Sequence, residues 1–143
     1  MSALTLTAIF ARLVAVLEAT PLNLVATKDA FSHDRQPNTL LDRAYYVEDG
    51  GLVSNRPCGN MQSARIDRVV IYVAAKLKFA PQAAKSAMET TLLTAERYIK
   101  ADGPSSGYHA EIATGRRVTR PKSGDFLIGS IALTVDYDCD ENT

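Results

Sequence analysis

The sequence predicts an α+β fold, a mixed and mostly antiparallel sheet with two main helices packed on one face. Two observations lead to this prediction. Apolar residues recur at three- and four-residue spacing in two segments, as on the buried side of a helix. Elsewhere, long stretches carry an apolar residue at every second position, as half-buried strands do. A length of 143 residues fits a single domain, 1–143.

The first helix is predicted over residues 5–18, where Thr5 or Thr7 can cap the start. Its apolar stripe consists of Leu6, Ile9, Phe10, Leu13, Val16 and Leu17. Pro21 lies just beyond the end, where a helix cannot continue.

Residues 22–64 are predicted to be mostly irregular, with an exposed loop over 33–38. One modest hairpin is expected, in which residues 45–47 and 52–53 flank an Asp49-Gly50 turn. A long irregular stretch in a compact domain is often functional or ordered by a partner, so residues 22–64 are a candidate interaction segment.

The clearest strand covers residues 65–79, with Val69, Ile71 and Val73 on its apolar face. Pro81 then opens a helix over 81–101, which Gly103 and Pro104 are expected to end. A strand over 108–114, a loop over 115–125 and a closing strand over 126–137 follow. Residues 138–143 are expected to form a frayed acidic tail.

The charge and cysteine content exclude some functions. Lys and Arg total 16, as do Asp and Glu, so the chain has no global attraction for nucleic acid or an anionic membrane. The apolar run 8–17 contains Arg12 and is too short to span a membrane, and the N-terminus lacks the basic flank of a signal peptide. We expect folding in a reducing cytoplasm, with Cys58 and Cys139 as free thiols.

No catalytic, cofactor-binding or metal-binding residues are predicted. His33 and His109 lack Cys or acidic partners at ligand spacing, and no nucleophile elbow or phosphate-binding glycine loop is present. We therefore expect that the chain is not an enzyme. The alternative, an enzyme of unrecognised type, would need Asp67 or Glu111, or Cys58 with His109, to converge in a pocket.

One basic cluster stands out in the predicted loop 115–124, where four cations fall within seven residues: Arg116, Arg117, Arg120 and Lys122. It is either a solvated hairpin tip or a contact for an acidic neighbouring subunit or, less favoured, for phosphates.

The order of elements resembles the tail terminator proteins of long-tailed phages of the lambda type. Three features carry the resemblance: the opening amphipathic helix 5–18, the strand 66–79 followed at once by the helix 81–101, and the closing strand 126–137. The closing strand contains Ile131-Ala132-Leu133-Thr134-Val135-Asp136-Tyr137. The resemblance covers most of the chain as an order of elements, and residues 22–64 match loosely.

The resemblance implies a structural virion protein at the head-proximal end of the tail, assembled in the host cytoplasm. Its partners would be other copies of itself in a hexameric ring, the tail tube protein and a neck or head-completion protein. DNA would pass through the ring without sequence-specific binding. Since each ring subunit needs two complementary patches, the candidate interface residues are Arg116, Arg117, Arg120, Lys122, Asp34 and Arg35. Another phage neck or tail-completion protein and a small non-viral binding or adaptor domain are the alternatives.

Overall fold

The computed structural model describes residues 5–27, 30–33, 42–59, 62–76, 81–119 and 126–140. They form the helices α1 (Leu6–Glu18) and α2 (Pro81–Ser106) and the strands β1 (Val25–Ala26), β2 (Ala44–Gly59), β3 (Gln62–Lys76), β4 (Tyr108–Thr119) and β5 (Phe126–Asp140). The strand order is β1-β2-β3-β5-β4. β1 runs parallel to β2 and the other pairs are antiparallel, so the predicted α+β fold with a mostly antiparallel sheet is confirmed.

The first helix agrees with its prediction. The Thr5 side chain accepts a hydrogen bond from the Ala8 amide at 3.1 Å and so caps an otherwise unsatisfied N–H group. Ile9, Leu13 and Leu17 are buried, as their spacing predicts. They anchor α1 in the main core.

Both helices cover the same face of the sheet. Val69, Ile71 and Val73 alternate along β3 and are buried in one cluster with residues of both helices. Gly129 on β5 lies directly beneath α2, because a β-carbon built there would be 2.7 Å from Met88 Sδ. The absence of a side chain at Gly129 therefore lets the helix approach the sheet closely.

The second face of the sheet is only partly covered by the described residues. Phe31 is buried there against Ala44, Ala74 and Ile128. Its ring also lies 6.5 Å from that of Tyr46 and 6.2 Å from that of Tyr72, between centroids. Residues 30–33 thus lie across one end of this face.

Two predictions for residues 22–64 are wrong, the mostly irregular stretch and the hairpin at residues 45–53, because β2 runs without a break from Ala44 to Gly59. Asp49 Oδ1 accepts a hydrogen bond from the Gly51 amide at 2.9 Å, and Gly51 has a φ of 99°. The register against β3 shifts between Asp49 and Gly51. This geometry is that of a β-bulge. A β-bulge favours glycine just as a tight turn does, so the same residues fit both.

The predicted end of the second helix is also wrong. α2 continues through Pro104 to Ser106 and ends at Gly107, whose φ is 86°. Because Pro104 lies in the last turn, its missing N–H removes only one hydrogen bond close to the end of the helix. Gly107 supplies the left-handed conformation that commonly ends a helix.

The predicted loop over 115–125 and the predicted frayed tail over 138–143 are also wrong where the structure describes them, because pairing with a neighbouring strand makes β4 and β5 longer than predicted. Residues 115–119 belong to β4 and not to a loop, since Arg117 is opposed to Ser130 of β5. Residues 138–140 belong to β5 and are not frayed, since Asp138 is opposed to Ala64 of β3. The remainder of the predicted loop, 120–125, and residues 141–143 lie outside the described residues.

Candidate subunit interface

The far half of β2, residues 51–59, forms a distal arm that pairs with residues 62–68 of β3. A strand of 16 residues such as β2 spans about 50 Å, well beyond the usual length of a strand. Residues 51–57 are all exposed. The arm therefore extends β2 past the part of the sheet that the helices cover.

Two apolar side chains of the distal arm face solvent. Leu52 is 52% exposed and Val53 is 58% exposed, and they are adjacent in the chain. A second register shift against β3 lies between Leu52 and Ser54. Exposed apolar side chains on an edge strand favour association with another chain. Their exposure was not predicted, because residues 52–53 were expected to form one side of a hairpin.

The sheet has two outer edges that no described strand covers. β1 pairs with β2 only at Ala44 and Tyr45, and the amide of Thr27 donates the last hydrogen bond to the Tyr45 carbonyl at 3.2 Å. Beyond that point β2 has no described partner on its outer side, and β4 pairs only with β5 among the described strands. Unpaired N–H and C=O groups along such edges are a template for another strand.

Two of the basic residues predicted to form an interface, Arg116 and Arg117, are described, and they lie near the end of β4. Arg116 forms an ion pair with Glu96 of α2 at 3.2 Å, so its charge is partly used within the subunit. Arg117 is exposed on the second face of the sheet. Arg120, Lys122, Asp34 and Arg35 lie outside the described residues, so their role stays a prediction.

A histidine joins the two segments that the sequence singles out. The Nδ1 atom of His33 lies 2.6 Å from Thr119 Oγ1, and Nε2 lies 2.7 Å from Ser130 Oγ. The ring also packs edge-on against Tyr72, with centroids 5.7 Å apart. His33 is followed in the chain by Asp34, and Thr119 is followed by Arg120. The last described residues before the two predicted interface segments are therefore in contact with each other.

A polar junction fixes the end of α2 against α1 and β4. Arg12 and Asp102 form an ion pair at 2.5 Å, and the Tyr108 hydroxyl lies 2.9 Å from the other Asp102 oxygen. Burial alone would raise the pKa of Asp102, but hydrogen bonds from Arg12 and Tyr108 and the Arg12 charge outweigh it and lower that pKa. Burial, with the hydrogen bond to Asp102, raises the pKa of Tyr108.

The four residues that the sequence offered for an enzymatic alternative do not converge in the described structure. Asp67 is 2% exposed and accepts a hydrogen bond from the Tyr137 hydroxyl at 2.5 Å, so it is held within the sheet. Cys58 is on β2 and His109 on β4, and two strands lie between, so their backbones are more than about 14 Å apart. The Glu111 carboxylate lies on the surface, 3.0 Å from His109 Nε2.

The surface grooves of the described part are lined by apolar and polar side chains alike. A groove of about 340 Å³ between α1 and the end of α2 is lined by Ala8, Ile9, Arg12, Ser105 and Ser106. Arg12, its one charged group, is already engaged by Asp102. Among the described residues, no three His, Cys, Asp or Glu side chains are grouped as metal ligands would be. The distal arm and the two sheet edges are therefore the features that point to function.

No protein-family model matches the chain, and no curated protein matches it significantly. In the part of the chain that the structure describes, neither helix combines the length and the hydropathy needed to cross a membrane.

Proposed function

We propose that this chain is the subunit of a homo-oligomeric ring, and that the ring is a tail terminator closing the head-proximal end of a phage tail tube. The observation that carries the proposal is that two edges, on opposite sides of one sheet, are covered by no strand among the described residues. A ring requires two different, mutually complementary surfaces on every subunit. The outer sides of β2 and β4 meet that requirement.

The exposed residues of the distal arm support association over an isolated monomer. Leu52 and Val53 are each more than half exposed in the described subunit. Burying their side chains against a neighbour would contribute roughly 1–2 kcal/mol each to the free energy of association. A net charge of zero imposes no general repulsion between copies. These features favour self-assembly over binding of a small ligand.

The resemblance in element order supports the phage assignment. Its three features correspond to α1, to β3 followed by α2, and to β5. By this resemblance the ring is a hexamer in the virion tail. The tail tube protein would contact one side and a neck or head-completion protein the other. DNA would pass through the lumen, and no cofactor is required.

Reconstitution on tail tubes tests the proposal. Purified chain is added to growing tubes of the tail tube protein, and the tubes are imaged by negative-stain electron microscopy. We expect a ring at one end of each tube and no further growth at that end. The double variant Leu52→Asp/Val53→Asp, which changes only exposed positions, should leave tubes uncapped.

Two results would contradict the proposal. One is continued growth of the tubes at both ends in the presence of the wild-type chain. The other is a strictly monomeric chain that does not bind tubes, which would favour a small binding or adaptor domain instead.

A further inference from the structure

We propose that neighbouring copies join edge to edge, with the outer side of β2 in one copy pairing antiparallel with the outer side of β4 in the next. The partner is thus a second copy of this chain. The inference rests on the proposed ring and names the surfaces that close it.

The strand directions permit one continuous sheet through all copies. β2, β3, β5 and β4 alternate in direction, so the two edge strands of a subunit run opposite to each other. When the next copy is placed beside β2 in the same orientation, its β4 arrives antiparallel. Every copy then uses each edge once, which is the head-to-tail arrangement that a ring needs.

The two edges also match in length. Residues 46–59 of β2, beyond the pairing with β1, are opposed to eleven residues of β3, 62–72. β4 is opposed to nine residues of β5 within 128–137. Each edge strand has more residues than the neighbouring strand that it opposes, because register shifts insert extra residues into it. About ten pairs can therefore form, which would satisfy the outward backbone groups along both edges.

Charge complementarity sets the register. Glu48 is opposed to Val70 within its own subunit, and Arg117 is opposed to Ser130; both acidic and basic side chains are exposed on the second face. Placing Glu48 opposite Arg117 of the next copy makes an oppositely charged cross-strand pair, which stabilises a sheet.

The same register also brings oppositely charged side chains close together at the other end of the edge. Arg56 lies six ladder positions beyond Glu48, and His109 lies six beyond Arg117 in the opposite direction along β4. Arg56 therefore falls opposite His109 and diagonal to Glu111, with all three on the second face. A diagonal neighbour is within reach of a side chain as long as arginine.

Either edge pairing with itself is the competing arrangement. It would give a two-fold dimer and leave the other edge of each copy open. A crosslinking experiment separates the two, because directly opposed cross-strand residues lie at distances that a disulfide can span.

The experiment uses the full chain with Cys58 and Cys139 replaced by serine. The variants Glu48→Cys and Arg117→Cys are oxidised separately and as a mixture, and light scattering is recorded on the same samples. We expect disulfide-linked dimers in the mixture and in neither variant alone. The double variant Glu48→Cys/Arg117→Cys should give a covalent ladder that ends at the closed ring. In the matched control, Glu89→Cys takes the place of Glu48→Cys in the mixture with Arg117→Cys. Glu89 is exposed on α2, away from both edges, so this mixture should not crosslink.

A second pair checks the register: Ser54→Cys with Glu111→Cys should also crosslink only in the mixture. The edge pairing is overturned if assemblies of ring size form and neither pair crosslinks, or if Glu48→Cys crosslinks to itself. Absence of any assembly in light scattering would instead overturn the proposed ring, so the two failures are distinguishable.

Reversing the charges gives an independent readout. Glu48→Arg alone and Arg117→Glu alone should each weaken association roughly fivefold per contact, because one attraction becomes a repulsion. A mixture of the two single variants should recover assembly, since alternating copies restore opposite charges at every interface. A mixture that assembles no better than its components would contradict the pairing of these residues.

Discussion

His33 Nδ1 lies 2.6 Å from Thr119 Oγ1, and this contact connects residues 30–33 with the last residue of β4. The second ring nitrogen reaches Ser130 on β5 at 2.7 Å. One side chain thereby holds a connecting segment against the end of a sheet edge. Asp34 and Arg120, the next residues of the two predicted interface segments, lie outside the described residues.

Replacing His33 should loosen this connection. His33→Ala removes partners from two hydroxyl groups, one of them on buried Ser130, so we expect the free energy of unfolding to fall by about 1–2 kcal/mol. Urea denaturation followed by circular dichroism measures the change. The matched control is His109→Ala, an exposed histidine on β4, which should alter stability by less than about 0.5 kcal/mol. Equal midpoints for both variants would contradict the role of His33.

Substitutions at the exposed apolar pair should separate folding from assembly. Leu52→Asp/Val53→Asp changes two residues that are more than half exposed in the subunit, so the midpoint of thermal unfolding of the monomer should be nearly unchanged. The fraction of assembled chain, measured by analytical ultracentrifugation, should fall several-fold. A large loss of monomer stability would show that these side chains are buried within the subunit.

The junction at Asp102 predicts a pH-dependent stability difference. The folded-state pKa of Asp102 is lowered from its ordinary value of 3.8, so its contribution is present above that value and is lost as the pH falls through the folded-state pKa. Asp102→Asn should cost about 1 kcal/mol at neutral pH. The difference from wild type should stay constant between about pH 5 and 7 and shrink below about pH 4.

Denaturation curves of both proteins across this range provide the measurement. Glu89→Gln, at an exposed position of the same helix, is the control and should track the wild type at every pH. A difference for Asp102→Asn that persisted unchanged to pH 2 would contradict the proposed ion pair.

The close approach of α2 to the sheet predicts different costs at two glycines. A methyl group at Gly129 would lie 2.7 Å from Met88 Sδ and 3.0 Å from Leu92 Cδ1, so Gly129→Ala should destabilise by about 1–3 kcal/mol through overpacking. At Gly115 no atom lies within 4 Å of the added carbon, and Gly115→Ala should be nearly neutral. The double variant Gly129→Ala/Met88→Ala should lose less stability than the two single changes combined. Full additivity would argue against this contact.

The sequence predicted the regular part of the core well. α1, the centre of β3 and β5 follow from apolar periodicity, because each element buries one face and its pattern is local. The end of α2 was missed because Gly103 and Pro104 are common helix terminators. Here the helix continues to Gly107, and Asp102, just before that pair, instead contacts Arg12 and Tyr108.

The candidate interface was only partly accessible to sequence reasoning. Arg116 and Arg117 were singled out, but as a loop, since only pairing with β5 shows that they extend a strand. The exposure of Leu52 and Val53 could not be predicted, because Asp49-Gly50-Gly51 fits a turn as well as a bulge. The choice between them depends on β3, whose pairing with β2 is a tertiary property.

The mass of the purified chain in solution, measured by light scattering across concentration and salt, tests ring formation most directly. We expect a species of about six times the 15.5 kDa of one chain at high concentration, and no larger species that grows without limit. A chain that remains a monomer, or stops at a dimer, at every concentration and in the presence of tail tubes would contradict the proposed ring.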